Sequence, residues 1–509
     1  MGEVLKLKTG NLEKIREVNE YLVSYNVEMT EVTGGTFWKA YTDAQIDGTE
    51  QVPPPDFSKG LGAMHQWYDP IDTTNPRLRK LAKELGHCWV RVSGTWATKT
   101  YYDFADEYPA GSAPEGYQNV LKKEQWINLL DFVKAVDGKL KISVANCDGL
   151  HTHDEPWNPS QAKLIFDLSR EYGVPVEAVE FVNEPNMLAN TGFPKDYTAA
   201  DFRRDQDIFH KWVRENYPEC RIVGPSDTDP LAMQVDAYGN PQPGAVEGGA
   251  GIADALPYCS TADLMDGCTE KLDVFSYHYY NGVSERMAAM MPSAFTPAEG
   301  AMSEEYLGMA GHCARCFTSY RDKYCPGGEM WVTESGDAGA GGHTWASTYL
   351  EVPRTLNEIG DFATVTEGVI FHNTLASSDY GWLKHGTFVP RPSYFAVLLW
   401  KKLMGDTVYA SEEAIRPGAH VFAHSRKDGK EGVAYLVINT SWEEATTVEL
   451  PKAAQVYALT GNGKMRSRTM MLNGKELVLG KNDEIPELNG VTMEGNIEVA
   501  PGGCTFFVL

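Results

Sequence analysis

The chain has 509 residues, 42% of them hydrophobic and 23% charged, proportions that exclude a disordered, collagenous or coiled-coil protein. Its 70 acidic residues outnumber 45 basic ones, giving a formal charge of −25. Such a chain repels nucleic acids and sulfated polymers at long range and lacks the clustered cations that displace counter-ions from them. The densest basic run, RLRKLAK from Arg77 to Lys83, reads as the exposed face of an amphipathic helix. No apolar run is long enough to predict a membrane span. The opening MGEVLKLKTG has no signal-peptide core, so the expected location is cytoplasmic, or secreted with a leader removed. Nine cysteines leave at least one unpaired. His312, Cys313, Cys316 and Cys325 lack the second tight pair of a zinc site and read as thiols on a helix.

In chain order, residues 1–20 contain the alternating run VLKLK, which predicts a strand added to a later sandwich. From 21 to 410, apolar β-rich runs alternate with amphipathic helical stretches. Strands are expected near 26–33, 88–93, 140–146, 178–183, 221–225, 272–278, 330–334 and 368–373. Helices are expected at, among others, 125–135, 159–172, 200–216, 304–323 and 344–359. Runs such as LKISVAN and GVIFHN are apolar on successive residues, as in parallel strands covered on both faces. Eight such units predict an α/β fold, a (β/α)8 TIM barrel. The alternative, an open doubly wound sheet, lacks its Gly-x-Gly-x-x-Gly. The Gly- and Pro-rich stretch 227–269 reads as a long loop between strands five and six. From 411 to 509, Lys427-Asp428-Gly429 and Asn473-Gly474 punctuate short alternating runs, predicting hairpins of a C-terminal β-sandwich.

Barrel enzymes carry their reactive groups where strands end. Strand four ends in Phe-Val-Asn-Glu-Pro-Asn, residues 181–186, and strand seven in Trp-Val-Thr-Glu-Ser-Gly, residues 331–336. Glu184 and Glu334 thus each follow an apolar strand, where an ionised group is costly without a purpose. Two carboxyls facing each other across a barrel mouth suit cleavage of a glycosidic bond: one neutral acid protonates the leaving oxygen, and one carboxylate attacks the anomeric carbon. The bland reading is a pair of rim glutamates at helix N-termini. Asn183 offers an amide to a sugar 2-hydroxyl, or is a turn amide. In Ser-Tyr-His-Tyr-Tyr, residues 276–280, an alternate residue is expected to reach the nucleophile. Tyr279 is favoured, with Tyr277 and Tyr280 as an aromatic wall.

The Asn-Glu-Pro-Asn of strand four, the glutamate ending strand seven and the His-Tyr-Tyr of strand six resemble glycoside hydrolase clan A. Within the clan, the chain is similar to glycoside hydrolase family 79, the β-glucuronidases and heparanases. The likeness runs from about Asn26 to Leu509 and rests on Arg-Val-Ser-Gly-Thr at 91–95, Asn183 to Asn186, and Phe371 to Tyr394. It implies Glu184 as acid/base and Glu334 as nucleophile of a retaining mechanism, with Thr95 and Asn183 touching the sugar. It also implies that Gly341, Gly342 and Tyr380 read the uronate carboxylate, in keeping with consecutive glycine N–H groups forming an anion nest. Where relatives end strand one on aspartate, this chain offers Glu31, followed by Gly34-Gly35, near the sugar 4-hydroxyl. The interval from Glu334 to the glycine pair is longer than in heparanases.

The expected function is a retaining exo-β-glucuronidase acting on a terminal glucuronic acid of a glycan or conjugate, with no cofactor and no metal. The acidic surface argues against an endo-acting heparanase. Another clan A hydrolase, a β-xylosidase or arabinofuranosidase, would keep both glutamates without needing the glycine turn or Tyr380. A non-catalytic carbohydrate-binding protein would have no use for the acid pair. Neither a nucleic acid nor a membrane is an expected partner.

Overall fold

The computed structural model describes residues 4–109, 111–244, 258–411 and 418–509. Eight parallel strands close into a barrel in sequence order: β1 (Val23–Glu28), β2 (Trp89–Ser93), β3 (Lys139–Ile142), β4 (Val176–Val179), β5 (Arg221–Asp227), β6 (Val274–Tyr280), β7 (Glu329–Gly336) and β8 (Ile370–His372). The (β/α)8 expectation is met. Closure joins β8 to β1 through Ile370 opposite Val23.

Strand boundaries differ from expectation in one consequential place. The alternation Val27, Met29, Glu31 reads as a strand continuing to residue 33. In the structure β1 stops at Glu28, and Met29–Thr33 forms a short helix. Glu28 and Glu31 cap it reciprocally, the Glu28 N–H donating to Glu31 Oε2 at 2.7 Å. A local capping box thus overrides the two-residue period. The helix expected from 344 begins at Glu351, with Pro353 in its first turn, where a missing N–H is tolerated. In the 227–269 stretch, Pro230–Met233 and Thr261–Met265 are short helices, and the remainder of that loop from 245 to 257 lies outside the described residues.

The barrel interior is layered. At the N-terminal end Trp89, Ala178, Val223, Val274, Trp331, Val369 and Phe371 form an apolar plug, with Trp89 and Trp331 centroids 5.1 Å apart. Above it lie Arg91, Lys141 and Glu180, all fully buried. Serines 93, 143, 226 and 276 follow, hydrogen-bonded in pairs at 2.7 Å. The carboxyls of the mouth come last.

The C-terminal part of the chain is built on a long antiparallel sheet whose central strands are Ala419–Arg426, Val433–Asn439, Cys504–Val508 and Ala454–Gly461. Val421 and Val437 face a small three-stranded sheet, whereas Phe422, Leu436 and Ile438 face the barrel helices. Alternate side chains thus fill two different cores. Asn473 and Gly474 both adopt positive φ, 48° and 79°, as their hairpin requires. The first residues serve both sheets: Leu5–Lys6 pairs with Thr446–Glu449, and Lys14–Glu17 pairs with Met404–Tyr409. That last strand puts the start of the sheet at Met404, several residues before the composition changes. All nine cysteines are free thiols.

The buried helix Glu351–Val365 packs against the C-terminal sheet. Its Gly360 lies against the Phe422 ring, where an added Cβ would approach to 2.5 Å. Gly360→Ala is therefore expected to destabilise the protein by about 1–3 kcal/mol through overpacking, read as a lower urea midpoint. An unchanged midpoint would show that this seam yields.

Candidate active site

The site is assembled from strand ends. β4 runs into residues 180–186, and Glu184 takes a left-handed backbone, φ 48°, with its N–H donating to the Ser226 carbonyl at 3.1 Å. This turn aims the side chain over the mouth, where it is 23% exposed. Glu334 extends from β7 and is 10% exposed. Carboxylate oxygens of Glu184 and Glu334 and a ring nitrogen of His278 lie within 4.8 Å of one another.

Arg91 organises the floor. Its guanidinium pairs with Glu180 (2.6 and 3.0 Å) and Glu334 (3.2 Å), and donates to Asn183 Oδ1 at 2.7 Å. Lys141 also pairs with Glu180. The carboxylate locked beneath the floor is therefore Glu180, well below the usual range because two cations outweigh its burial. Glu184 differs. Burial raises its carboxyl to about 7, against the opposing pull of Arg91. Burial also holds His278 down to about 4, so it is neutral. Arg91 can only donate, and its Nη2 lies 3.3 Å from His278 Nε2. Nε2 is thus the acceptor, and Nδ1–H points at Glu184 Oε1, 3.1 Å away.

Strand six corrects one expectation. Tyr279 does not reach the nucleophile. Its ring belongs to the core packed on the barrel helices, and among the described residues its hydroxyl has no partner. Strand alternation instead turns Ser276, His278 and Tyr280 inward. Tyr280 Oη donates to Glu334 Oε1 at 2.5 Å and accepts from Asn373 Nδ2 at 2.9 Å. Asn373, from the end of β8, also reaches Glu334 Oε1 (3.3 Å) and Tyr380 Oη (3.1 Å). His278, Asn373 and Arg91 are site residues to which the sequence assigned no role, and Tyr280, expected in an aromatic wall, instead reaches Glu334. The inward parity of His278 and Tyr280 was present in the motif but was set one residue out.

Glu31 is also corrected as the end of strand one. That position is Glu28, whose carboxyl is crowded against Gly94, where a Cβ would fall 1.6 Å from Oε2. Gly94 (φ 92°) therefore admits Glu28 to the floor. Burial first, then Glu334, pushes the Glu28 carboxyl well above its usual range. Burial raises Glu31 to about 7, and its Oε2 caps the short helix. Thr95 is partly exposed, next to Gly94 in the turn after β2.

Gly341 and Gly342 both have positive φ, 90° and 85°, and Tyr380 packs on Gly342. The Gly342 N–H is committed to the Ala338 carbonyl at 3.1 Å, so the expected pair of amides is not equally available. Arg286 holds the turn through the carbonyls of Lys39 (2.5 Å), Ala340 (3.0 Å) and Gly342 (3.1 Å), and through Asp379 (2.7 Å). A groove of about 510 Å³ at the opposite end of the barrel, lined by Leu22, Gly86 and His87 among others, contains neither Glu184 nor Glu334. Glu184, His278 and Glu334 could geometrically ligate a cation. Arg91, however, already brings a positive charge to within 3.2 Å of Glu334.

In protein with ¹³C-labelled carboxyls, one resonance lost in Glu184→Gln should titrate near pH 7. A midpoint near 4 would remove burial as the controlling influence. Because the folded state binds this proton more tightly, Glu184 contributes stability that is complete below pH 4.5 and lost as pH rises through 7.

No family model matches the chain. It is 24% identical to Heparanase-like protein 1 of Arabidopsis thaliana, over 86% of this chain and 85% of that one. It is 25% identical to Baicalin-beta-D-glucuronidase of Scutellaria baicalensis, over 85% and 82%. Inactive heparanase-2 of Homo sapiens is 27% identical over 72% of this chain and 63% of its own. Among solved structures, a 4-O-alpha-L-rhamnosyl-beta-D-glucuronidase from Fusarium oxysporum superposes with a TM-score of 0.61 at 12% identity, covering 99% and 100%. A GH51 arabinofuranosidase from Xanthomonas axonopodis gives 0.59 at 14% identity, covering 99% of both chains. The chain shares its overall fold with these solved glycosidases, and the likeness seen in the motifs extends over most of the chain to proteins named as heparanase-like and as a β-glucuronidase.

Proposed function

We propose that the protein is a retaining exo-β-glucuronidase. The observation that carries the mechanism is the approach of Glu184 and Glu334 oxygens to within 4.8 Å. Retaining enzymes hold their two carboxyls about 5–5.5 Å apart, whereas inverting ones leave ~6.5–9.5 Å for a water.

Glu334 attacks the anomeric carbon, and Glu184, whose carboxyl partial burial raises to about 7, passes its proton to the leaving oxygen. Water, deprotonated by the same Glu184, then releases the sugar with its configuration kept. Tyr280 and Arg91 fix the two oxygens of Glu334, so the attacking lone pair is positioned before substrate arrives. Asn183 has its carbonyl held by Arg91, which frees its N–H₂ for the sugar 2-hydroxyl. The uronate carboxylate is read by the Gly341 N–H and by the Tyr380 hydroxyl, whose oxygen already accepts from Asn373.

Exo action is supported by the wall beyond Tyr380. Tyr41 N–H donates to Asp379 (3.3 Å) and Tyr41 Oη to the Gly342 carbonyl (3.0 Å). With Arg286, these bonds tie residues 38–41 to the loops after β7 and β8. In this reading they block that end of the cleft, which an endo-acting enzyme would leave open. A formal charge of −25 also opposes a sulfated polymer. A second reading, a hydrolase of a neutral sugar, draws support from the committed Gly342 N–H, which leaves one amide fewer for a carboxylate.

Hydrolysis of 4-nitrophenyl β-D-glucuronide followed by ¹H NMR tests both claims. The β-anomer of glucuronic acid should appear first, with the rate falling above pH 7 as Glu184 ionises. First appearance of the α-anomer would overturn retention, and cleavage of the xyloside but not the glucuronide would overturn the sugar assignment.

A further inference from the structure

A wall of side chains runs around the mouth. Trp38, from the hairpin Gly35–Trp38 with His65–Tyr68, lies against Gly341, where a Cβ would come within 2.6 Å of Trp38 Cβ. The His65 ring stands edge-on to Trp38, centroids 4.6 Å apart, and 5.7 Å from Trp96 in the turn after β2. Lys99 Nζ lies 5.5 Å from the centre of the Trp96 ring, and its stem reaches the loop after β4, where a Cβ on Gly192 would lie 2.9 Å from Lys99 Cδ. The wall thus passes from the loop that follows Glu334 to the loop that follows Glu184.

The cations around the mouth divide into two kinds. Arg91 and Arg286 are paired with carboxylates. Arg391 donates to the carbonyls of Ser378, Asp379 and Gly381. Lys99 is partly buried, yet among the described residues its Nζ has neither a hydrogen-bond acceptor nor a counter-ion. A half-desolvated ammonium on an aromatic face carries a desolvation penalty that an arriving anion relieves. Next to it, His65 Nε2 is buried without a partner among the described residues. Burial, then Lys99, holds this imidazole neutral, at about 4, so it adds a polar atom without a competing charge.

We propose that Lys99, with Trp96 and His65, forms a subsite for an anionic group of the substrate, a carboxylate or sulfate. The group belongs either to the cleaved uronic acid or to the residue linked to it. This rests on the glycosidase reading and adds the charge complement that the glycine turn does not supply. Lys99 touches the ligand, not the reacting atoms, so its loss raises KM more than it lowers kcat.

The test compares wild type, Lys99→Met and Lys99→Arg on 4-nitrophenyl β-D-glucuronide and on an aryl glucuronide with a sulfonate on its aglycone, at 0.05 and 0.5 M NaCl. The expected result is a loss in Lys99→Met of at least about tenfold in kcat/KM, carried by KM. That variant also loses the salt dependence, and Lys99→Arg recovers most of both. An equal loss on both substrates places the anion on the cleaved sugar, and a loss confined to the sulfonated one places it on the aglycone. Unchanged kcat/KM and salt dependence in Lys99→Met, or a fall in kcat shared by Lys99→Arg, would overturn the subsite. Wild-type protein that cleaves neither glucuronide would fail the parent reading before any variant is compared, and the subsite would fall with it.

Discussion

The guanidinium of Arg91 is the contact on which the site depends. It is buried in the barrel interior and divides its donors between Glu180 on one side of the barrel, Glu334 on the other, and Asn183 beside the acid. A buried cation persists only when its donors are met, and removing one partner of such a pair costs about 3–5 kcal/mol because the other is left uncompensated. The arrangement therefore fixes β2, β4 and β7 relative to one another at the depth where their last residues become the mouth. Lys141 completes the balance by sharing Glu180. The apolar plug beneath, centred on Trp331, keeps water from the ionic layer and strengthens each of these interactions.

On that floor, two glutamates of the same chemistry acquire different surroundings. Glu184 stands on a left-handed turn with one neutral imidazole as its neighbour, and burial controls its proton affinity. Glu334 receives hydrogen bonds from an arginine, a tyrosine and an asparagine. Environment, not residue type, separates the proposed acid from the proposed nucleophile. His278 remains neutral between them, because burial outweighs the attraction of Glu334.

Much of this could be read in the sequence. Parallel strands buried on both faces give continuous apolar runs, so eight of them identified the barrel, and a charged residue directly after such a run singled out Glu184 and Glu334, the pair proposed for catalysis. What could not be read depended on local exceptions. Glu28 and Glu31 lie on an apparent alternation that a reciprocal cap turns into a helix. The parity of strand six was misjudged by one residue, because every alternate residue of Tyr277–Tyr280 is aromatic and either face could have been the inner one. Arg91 and Glu180 were hidden in apolar strands, since nothing local distinguishes a charge that pairs across a barrel. The commitment of the Gly342 N–H to Ala338 is a property of the folded turn alone.

The central claim is that Glu334, held by Arg91 and Tyr280, bonds covalently to the sugar. Inactivation with a 2-deoxy-2-fluoro-β-glucuronyl fluoride, followed by proteolysis and mass spectrometry, tests it most directly. The account requires the label on the peptide containing Glu334, and specifically on that side chain. A label on Glu184, or time-dependent inactivation with no covalent sugar on either glutamate, would contradict it.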